Sequence, residues 1–311
     1  MPTVKNYLSL IKFSHTIFAM PFAFIGFVLG VIHFNRVVEN NLDTTIQTMP
    51  VAELVTMQVS VYRNWLLLLL VVLCMVFARS AAMAFNRYLD RKFDEKNPRT
   101  AIREIPSGII APKNALAFTV VNCILFVATT WFINPICFYL SPVALLVVLF
   151  YSYTKRFTAL CHLVLGLGLS LAPIGAYLAV TGQFNWLPLL FSFAVICWVS
   201  GFDIIYALQD EEFDKANRLH SIPSMLGKSK ALRVSELLHV VSAAAVIGAG
   251  LYGNFGWLYW IGVAVFAGML VYQHSIVKPN DLRRVNLAFM TANGIASVVF
   301  AVFVISDLFI H

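Results

Sequence analysis

Nine stretches of predominantly apolar residues, separated by polar breaks, organise the chain: roughly 15–34, 64–87, 114–133, 137–152, 162–181, 187–208, 232–252, 256–273 and 286–309. About 20 such residues in helical form cross the hydrocarbon layer of a bilayer. The pattern therefore predicts an all-α, polytopic membrane protein, with nine transmembrane helices bundled in one domain over 1–311. The breaks at Asn134-Pro135, Gly182-Gln183-Phe184-Asn185 and Gly253-Asn254-Phe255 are short and lack Lys and Arg. Those on the other side are mostly long and polar. The first run begins after Lys12 without a small-residue cleavage site, so it reads as a retained helix rather than a removed signal peptide. The segment 36–63 is polar and carries no recognisable motif; it is expected to form an extracytoplasmic insertion loop.

Composition agrees with this pattern. Hydrophobic residues make up 60% of the chain and charged residues 12%, far from the roughly 25% charged of soluble domains, so a soluble enzyme is excluded. The net charge of +7 does not point to nucleic acid, because the basic residues alternate with apolar runs instead of forming a stripe on one soluble face. All but three of the 22 Lys and Arg lie before the first run or in the breaks 87–113, 155–156, 215–233 and 278–284. Arg36 and Arg63 fall on the opposite side and Arg79 inside a run. The positive-inside rule then places the N-terminus and the loaded breaks in the cytoplasm, the C-terminus outside, and the protein in the plasma (inner) membrane. Cys74, Cys123, Cys137, Cys161 and Cys197 have no C-x-x-C pairing and read as small buried hydrophobes rather than zinc ligands or a disulfide framework.

Two of the loaded breaks resemble each other. Asp90-Arg91-Lys92-Phe93-Asp94-Glu95-Lys96-Asn97 aligns with Asp210-Glu211-Glu212-Phe213-Asp214-Lys215-Ala216-Asn217, and each is followed by Ile-Pro-Ser, at Ile105 and at Ile222. Four predicted spans separate the copies, so both face one compartment, as in an internal parallel repeat with its site between the halves. Aspartates at i and i+4 on a helix project from one face. Like charges placed together call for a cation, and hard carboxylate oxygens suit Mg2+, which commonly bridges to substrate phosphates. The plain alternative is two solvated helix ends.

The same helical faces extend into the apolar runs. Arg79, Asn86, Asp90 and Asp94 form one stripe, and Asp203, Asp210 and Asp214 another, with Arg79 and Asp203 about 10 Å deeper than Asn86 and Asp210. Charges at that depth face a cavity or a partner; the bland reading is an Arg79–Asp203 ion pair joining the halves. Arg99, Arg103, Lys155, Arg156 and Arg218 are candidate donors to phosphate oxygens, although positive-inside anchoring accounts for most loop cations. Tyr151 lies one turn before Lys155, on the same face.

At these residues the chain resembles the UbiA superfamily of intramembrane prenyltransferases. The superfamily's N-x-x-x-D-x-x-x-D signature reads here as Asn86 to Asp94, its D-x-x-x-D as Asp210 to Asp214, and its Y-x-x-x-K as Tyr151 to Lys155. The resemblance covers nearly the whole chain. It implies transfer of a polyprenyl group from its diphosphate to an aromatic acceptor, with Mg2+ on Asp90, Asp94, Asp210 and Asp214. Asn97-Pro98-Arg99-Thr100, Glu104 to Gly108 and Gly201 to Asp210 look like the branch acting on 4-hydroxybenzoate, which also has relatives acting on a dihydroxynaphthoate in menaquinone synthesis. Many members open their first helix with an arginine near a Pro-Gly pair, where this chain has Lys12-Phe13-Ser14-His15.

On that resemblance, Asp203 is expected to orient or ionise the acceptor phenol, Lys155 and Arg99 to bind phosphate oxygens, and Tyr151 to help expel the diphosphate. Arg79 would support Asp203 or hold the acceptor carboxylate. Phe18, Phe22, Phe24, Phe202 and Tyr206 are candidate linings of a prenyl tunnel, ordinary lipid-facing positions being the alternative. The partners expected are a polyprenyl diphosphate, an aromatic acid and the lipid bilayer; neither nucleic acid nor a protein partner is implied. An ion-coupled transporter would also use repeats and intramembrane charge, but with its charges near the midplane at broken helices rather than at helix ends. A non-aromatic acceptor, as in haem farnesylation or phospholipid prenylation, would keep the fold.

Overall fold

Inside a bilayer every backbone amide must find its partner within the protein, which leaves the helix as the default for long apolar runs. The computed structural model describes residues 3–12, 18–45 and 50–310, apart from the side chains of 38–62. A short α1 (Val4–Leu10) precedes α2 (Met20–Thr45), α3 (Pro50–Lys96), α4 (Pro112–Trp131), α5 (Pro135–Thr154), α6 (Cys161–Thr181) and α7 (Trp186–Ala207). A 3-10 turn, Leu208–Asp210, joins α7 to α8 (Glu211–Ala216). Then come α9 (Ile222–Leu226), α10 (Lys228–Tyr252) and α11 (Trp257–Ile276), and a π-helical stretch, Leu287–Ala292, opens α12 (Asn293–Ile310). Among the described residues nine helices are long and apolar enough to cross a membrane, at the positions expected from the sequence.

Local signals set the helix ends. Pro112 and Pro135 stand at the first positions of α4 and α5, where a missing N–H is harmless. The Asn134 side chain caps α5 by accepting from Cys137 N at 2.9 Å, and Asn185 caps α7 from Leu187 N at 2.9 Å. Gly182 closes α6 with a φ of 65°, a conformation open to glycine.

Two expectations change. The described residues of the segment 36–63 are helical rather than a loop: α2 continues to Thr45 and α3 already begins at Pro50. Its polar composition marks solvent, not the absence of a helix. The second acidic motif is not one regular helical face either, because the 3-10 turn rotates each residue by about 120° rather than about 100° and offsets Asp210 from α7. The segment Phe13-Ser14-His15, where the chain departs from the family pattern, lies outside the described residues.

The outer surface is greasy: Leu69, Val121, Leu146, Val240, Val271 and Val302 are each more than half exposed, as a lipid-facing surface requires. The interior is aromatic. Phe22 lies against Trp198 with ring centroids 5.3 Å apart, and Phe266 against Phe300 at 5.4 Å, joining α2, α7, α11 and α12. Phe22 is therefore core rather than tunnel lining. Close backbone approach holds α2 on α6, where a Cβ on Gly26 would stand 2.0 Å from Pro173 O.

Candidate active site

Both acidic motifs open into one cavity of 490 Å³, walled by α3 and the loop after it, the end of α5 and the loop after it, α6 to α8, and the turn before α9. Arg79, Asn86, Asp90, Asp94, Arg99, Tyr151, Lys155, Asp203, Asp210 and Asp214 all line it. Arg218 does not: it is exposed, with a φ of 55°, on the turn after α8. That turn carries its side chain to the surface instead of into the cavity.

Each motif aspartate has its own basic partner. Asp90 accepts from Arg156 at 2.7 Å and from Asn86 Nδ2 at 3.3 Å, while Arg156 also donates to Ser152 O at 2.6 Å. Asp94 accepts from Arg103 at 2.6 Å through Oδ1, and its buried Oδ2 has no hydrogen-bond partner. Asp210 receives a two-pronged contact from Arg99, whose Nε lies 3.1 Å from Oδ1 and whose second nitrogen meets Oδ2. Asn97 adds a bond to Oδ1 at 3.2 Å, and Arg99 also donates to the Tyr206 hydroxyl at 2.9 Å. Asp214, fully buried, meets Lys155 Nζ at 2.7 Å and accepts from Ser221 Oγ at 2.9 Å.

The expected convergence of carboxylates on a single point thus takes another form, four ion pairs around one chamber. Among the described residues no three His, Cys, Asp or Glu side chains are grouped closely enough to hold a metal ion. Burial alone would depress the Lys155 ammonium, but Asp214 and Asp210 outweigh it and hold its pKa above the ordinary lysine value. Burial likewise opposes Arg99, and Asp210 and Tyr206 raise it.

Deeper in the cavity, Asp203 pairs with His162, with Nδ1 at 2.7 Å from Oδ2. The Arg79–Asp203 ion pair considered from the sequence is not formed among the described residues, and Arg79 Nε is buried without a hydrogen-bond partner. Three further lining residues were not singled out as candidates: His162, whose partner lies 41 positions away, Arg87 and Glu104. A lone polar residue at the mouth of an apolar run was the available signal for His162.

The cavity's aromatic side comes from Phe18, Phe202, Tyr206 and Phe289. The π-helical stretch brings Phe289 to 4.3 Å from Tyr206 and 5.4 Å from Phe202, centroid to centroid. Phe18 and Phe202 line this chamber, whereas Phe24 is absent from its lining. On the other side lies an apolar cavity of 430 Å³ between α3, α4, α5 and α6. Arg79, Met83, Tyr151, Leu165 and Leu169 line both spaces, so a charged chamber and a hydrocarbon chamber share one wall.

Comparison with known proteins gives the same picture. Residues 48–295 match the model of the UbiA prenyltransferase family. A 4-hydroxybenzoate octaprenyltransferase of Tolumonas auensis is 31% identical over 242 residues, 75% of this chain and 82% of the relative. The apo structure of a UbiA homologue from Aeropyrum pernix K1, 25% identical, matches 95% of this chain and 97% of that one with a TM-score of 0.72. A UbiA homologue from Archaeoglobus fulgidus bound to DMAPP and Mg2+ shares the fold at 19% identity, with a TM-score of 0.68 over 98% of this chain and 100% of that one. With most of its length matching the family model and a relative 31% identical across most of both chains, the chain belongs to the UbiA prenyltransferase family.

Proposed function

We propose that this protein transfers a polyprenyl group from a polyprenyl diphosphate to 4-hydroxybenzoate or a closely related aromatic acid, a step of quinone biosynthesis. One observation carries the reading: the four motif aspartates, each beside a cation, line a chamber that shares a wall with an apolar cavity. The molecule such a pair of spaces accommodates has a highly charged head and a hydrocarbon tail. The acceptor class follows the Tolumonas auensis relative.

A divalent metal, by analogy with the homologue bound to DMAPP and Mg2+, suits the donors present. Asp94 Oδ2 is a buried carboxylate oxygen without a hydrogen-bond partner, and the donors around it are hard oxygens. Asp90, Asp94, Asp210 and Asp214 would hold Mg2+, with Asn86 steadying Asp90. Bound Mg2+ neutralises charge building on the departing diphosphate.

The chain's own residues do the rest. Lys155 and Arg99, with Arg103 and Arg156 beside them, bind phosphate oxygens. Tyr151 stands at the boundary of the two spaces, where its hydroxyl donates to the diphosphate as the allylic C–O bond breaks. Phe18, Phe202, Phe289 and Tyr206 keep water from the allylic cation. Asp203 orients the acceptor hydroxyl, a ring carbon attacks the allylic carbon, and loss of the ring proton restores aromaticity. Arg79, with an unpartnered Nε, is free to hold the acceptor's carboxylate. The chamber faces the cytoplasm, with the N-terminus on that side and the C-terminus across the membrane.

The test uses membranes containing the protein, Mg2+ and a labelled polyprenyl diphosphate, offered 4-hydroxybenzoate and 1,4-dihydroxy-6-naphthoate in parallel. A prenylated 4-hydroxybenzoate supports the reading. Prenylation of the naphthoate alone reassigns the acceptor, and label carried across the bilayer without diphosphate release refutes the enzyme.

A further inference from the structure

Asp203 does not stand alone, and its partner's hydrogen bonds are unusually informative. His162, the second residue of α6, is 2% exposed. Its Nδ1 lies 2.7 Å from Asp203 Oδ2, and its Nε2 lies 3.3 Å from Ile222 N, a backbone amide. An amide N–H can only donate, so Nε2 carries the lone pair and the ring proton sits on Nδ1, from which it is donated to Asp203. A ring held this way donates from one nitrogen and accepts at the other, which fixes its orientation beside Asp203. It is well suited to fix an aspartate.

We infer that His162 is a positioning residue: a buried neutral imidazole that holds Asp203 Oδ2 and leaves Oδ1 to meet the acceptor's hydroxyl. The inference deepens the function proposed above and rests on the role given there to Asp203. Two features of the surroundings support it. Gly166, one turn along α6, lies so close to α7 that a Cβ there would stand 2.5 Å from Ile196 O and 2.6 Å from Ser200 Oγ. Ser200 Oγ is 3.0 Å from His162 O and 2.6 Å from Ile196 O, so the two helices, and with them His162 and Asp203, are held in register.

The second feature is the turn that supplies the amide. Ser221 caps α9 and its hydroxyl donates to Asp214 Oδ2 at 2.9 Å. The next residue, Ile222, donates to His162. One turn therefore touches an aspartate of the second motif on one side and, through His162, Asp203 on the other. The diphosphate end and the acceptor end of the site are joined by a fixed hydrogen-bonded chain.

The test compares His162→Ala, His162→Asn, Asp203→Asn and the His162→Ala/Asp203→Asn pair in purified full-length protein. His162→Asn keeps a donor near the Nδ1 position, and keeps the test decisive if the alanine variant fails to fold. His162→Ala is expected to lower kcat with the aromatic acceptor about 10–100-fold, with KM for the polyprenyl diphosphate within about twofold. His162→Asn should recover most of that loss, and adding His162→Ala to Asp203→Asn should lose nothing more. Full activity of His162→Ala, or additive losses in the pair, overturns the inference. A second readout needs no turnover: the 15N spectrum of histidine-labelled protein, assigned with His162→Asn, should show a ring protonated at Nδ1 alone. Protonation at Nε2 overturns the inference whatever the activity. If no aromatic acid is prenylated by the unaltered protein, the proposed function falls and the spectrum still decides the state of His162.

Discussion

The four ion pairs of the chamber differ in how much each matters to folding. Asp214 is fully buried and Lys155 is about one-third exposed, so removing the lysine leaves a buried carboxylate with Ser221 as its remaining partner. Lys155→Met is expected to destabilise the protein by about 3–5 kcal/mol, read as a lowered unfolding midpoint in detergent, and to weaken diphosphate binding as well. Because Asp214 and Asp210 raise the Lys155 pKa above 10.5, the stabilisation is complete below that pH and is lost only as pH rises through the higher folded value. Thermal unfolding of the unaltered protein between pH 7 and pH 9 should show no transition attributable to this pair. Asp90→Ala and Asp210→Ala belong to the other kind. Both are part-exposed, so both variants should insert and purify normally while turnover falls by about 100-fold or more; full activity of both would remove the metal role. These aspartates were legible because charge is conspicuous in an apolar chain. Their partners were less so: a loop arginine such as Arg103 looks like any other topological anchor until the fold brings it beside Asp94.

Element by element, length and hydropathy were enough to locate the spans, because a helix in lipid has no competing way to satisfy its backbone. What they missed was local geometry. The 3-10 turn at Leu208–Asp210 and the π-helical stretch at Leu287–Ala292 leave no mark on a hydropathy pattern, yet each aims chamber residues: Asp210 in one case and Phe289 in the other. Residues 36–45 and 50–63 read as loop because polar residues beyond the end of a membrane helix carry no apolar signal, yet they are helical. Two glycines test the packing. Gly166→Leu should force α6 from α7 and abolish activity with a loss of stability, since the Cβ would meet Ile196 O and Ser200 Oγ. Gly175 lines the apolar cavity with nothing within 4 Å of the Cβ position. Gly175→Phe should therefore be tolerated structurally while raising KM for long polyprenyl diphosphates more than for a ten-carbon donor. Equal effects on both would show that the tail lies elsewhere.

For the molecule as a whole, the distribution of Lys and Arg predicts which side the chamber faces. Single cysteines placed at Lys113 and Gly253, on opposite sides of the predicted topology, should react oppositely with a membrane-impermeant thiol reagent in intact cells, with Gly253→Cys labelled and Lys113→Cys protected. The reverse pattern would invert the protein. The two chambers have a further consequence. Arg79 and Tyr151 belong to both, so a molecule lying across that wall is anchored at one end by its charge alone. Once the head is severed that anchor is gone, and a product that is mostly oil is expected to partition into the lipid rather than into the water from which its ring arrived.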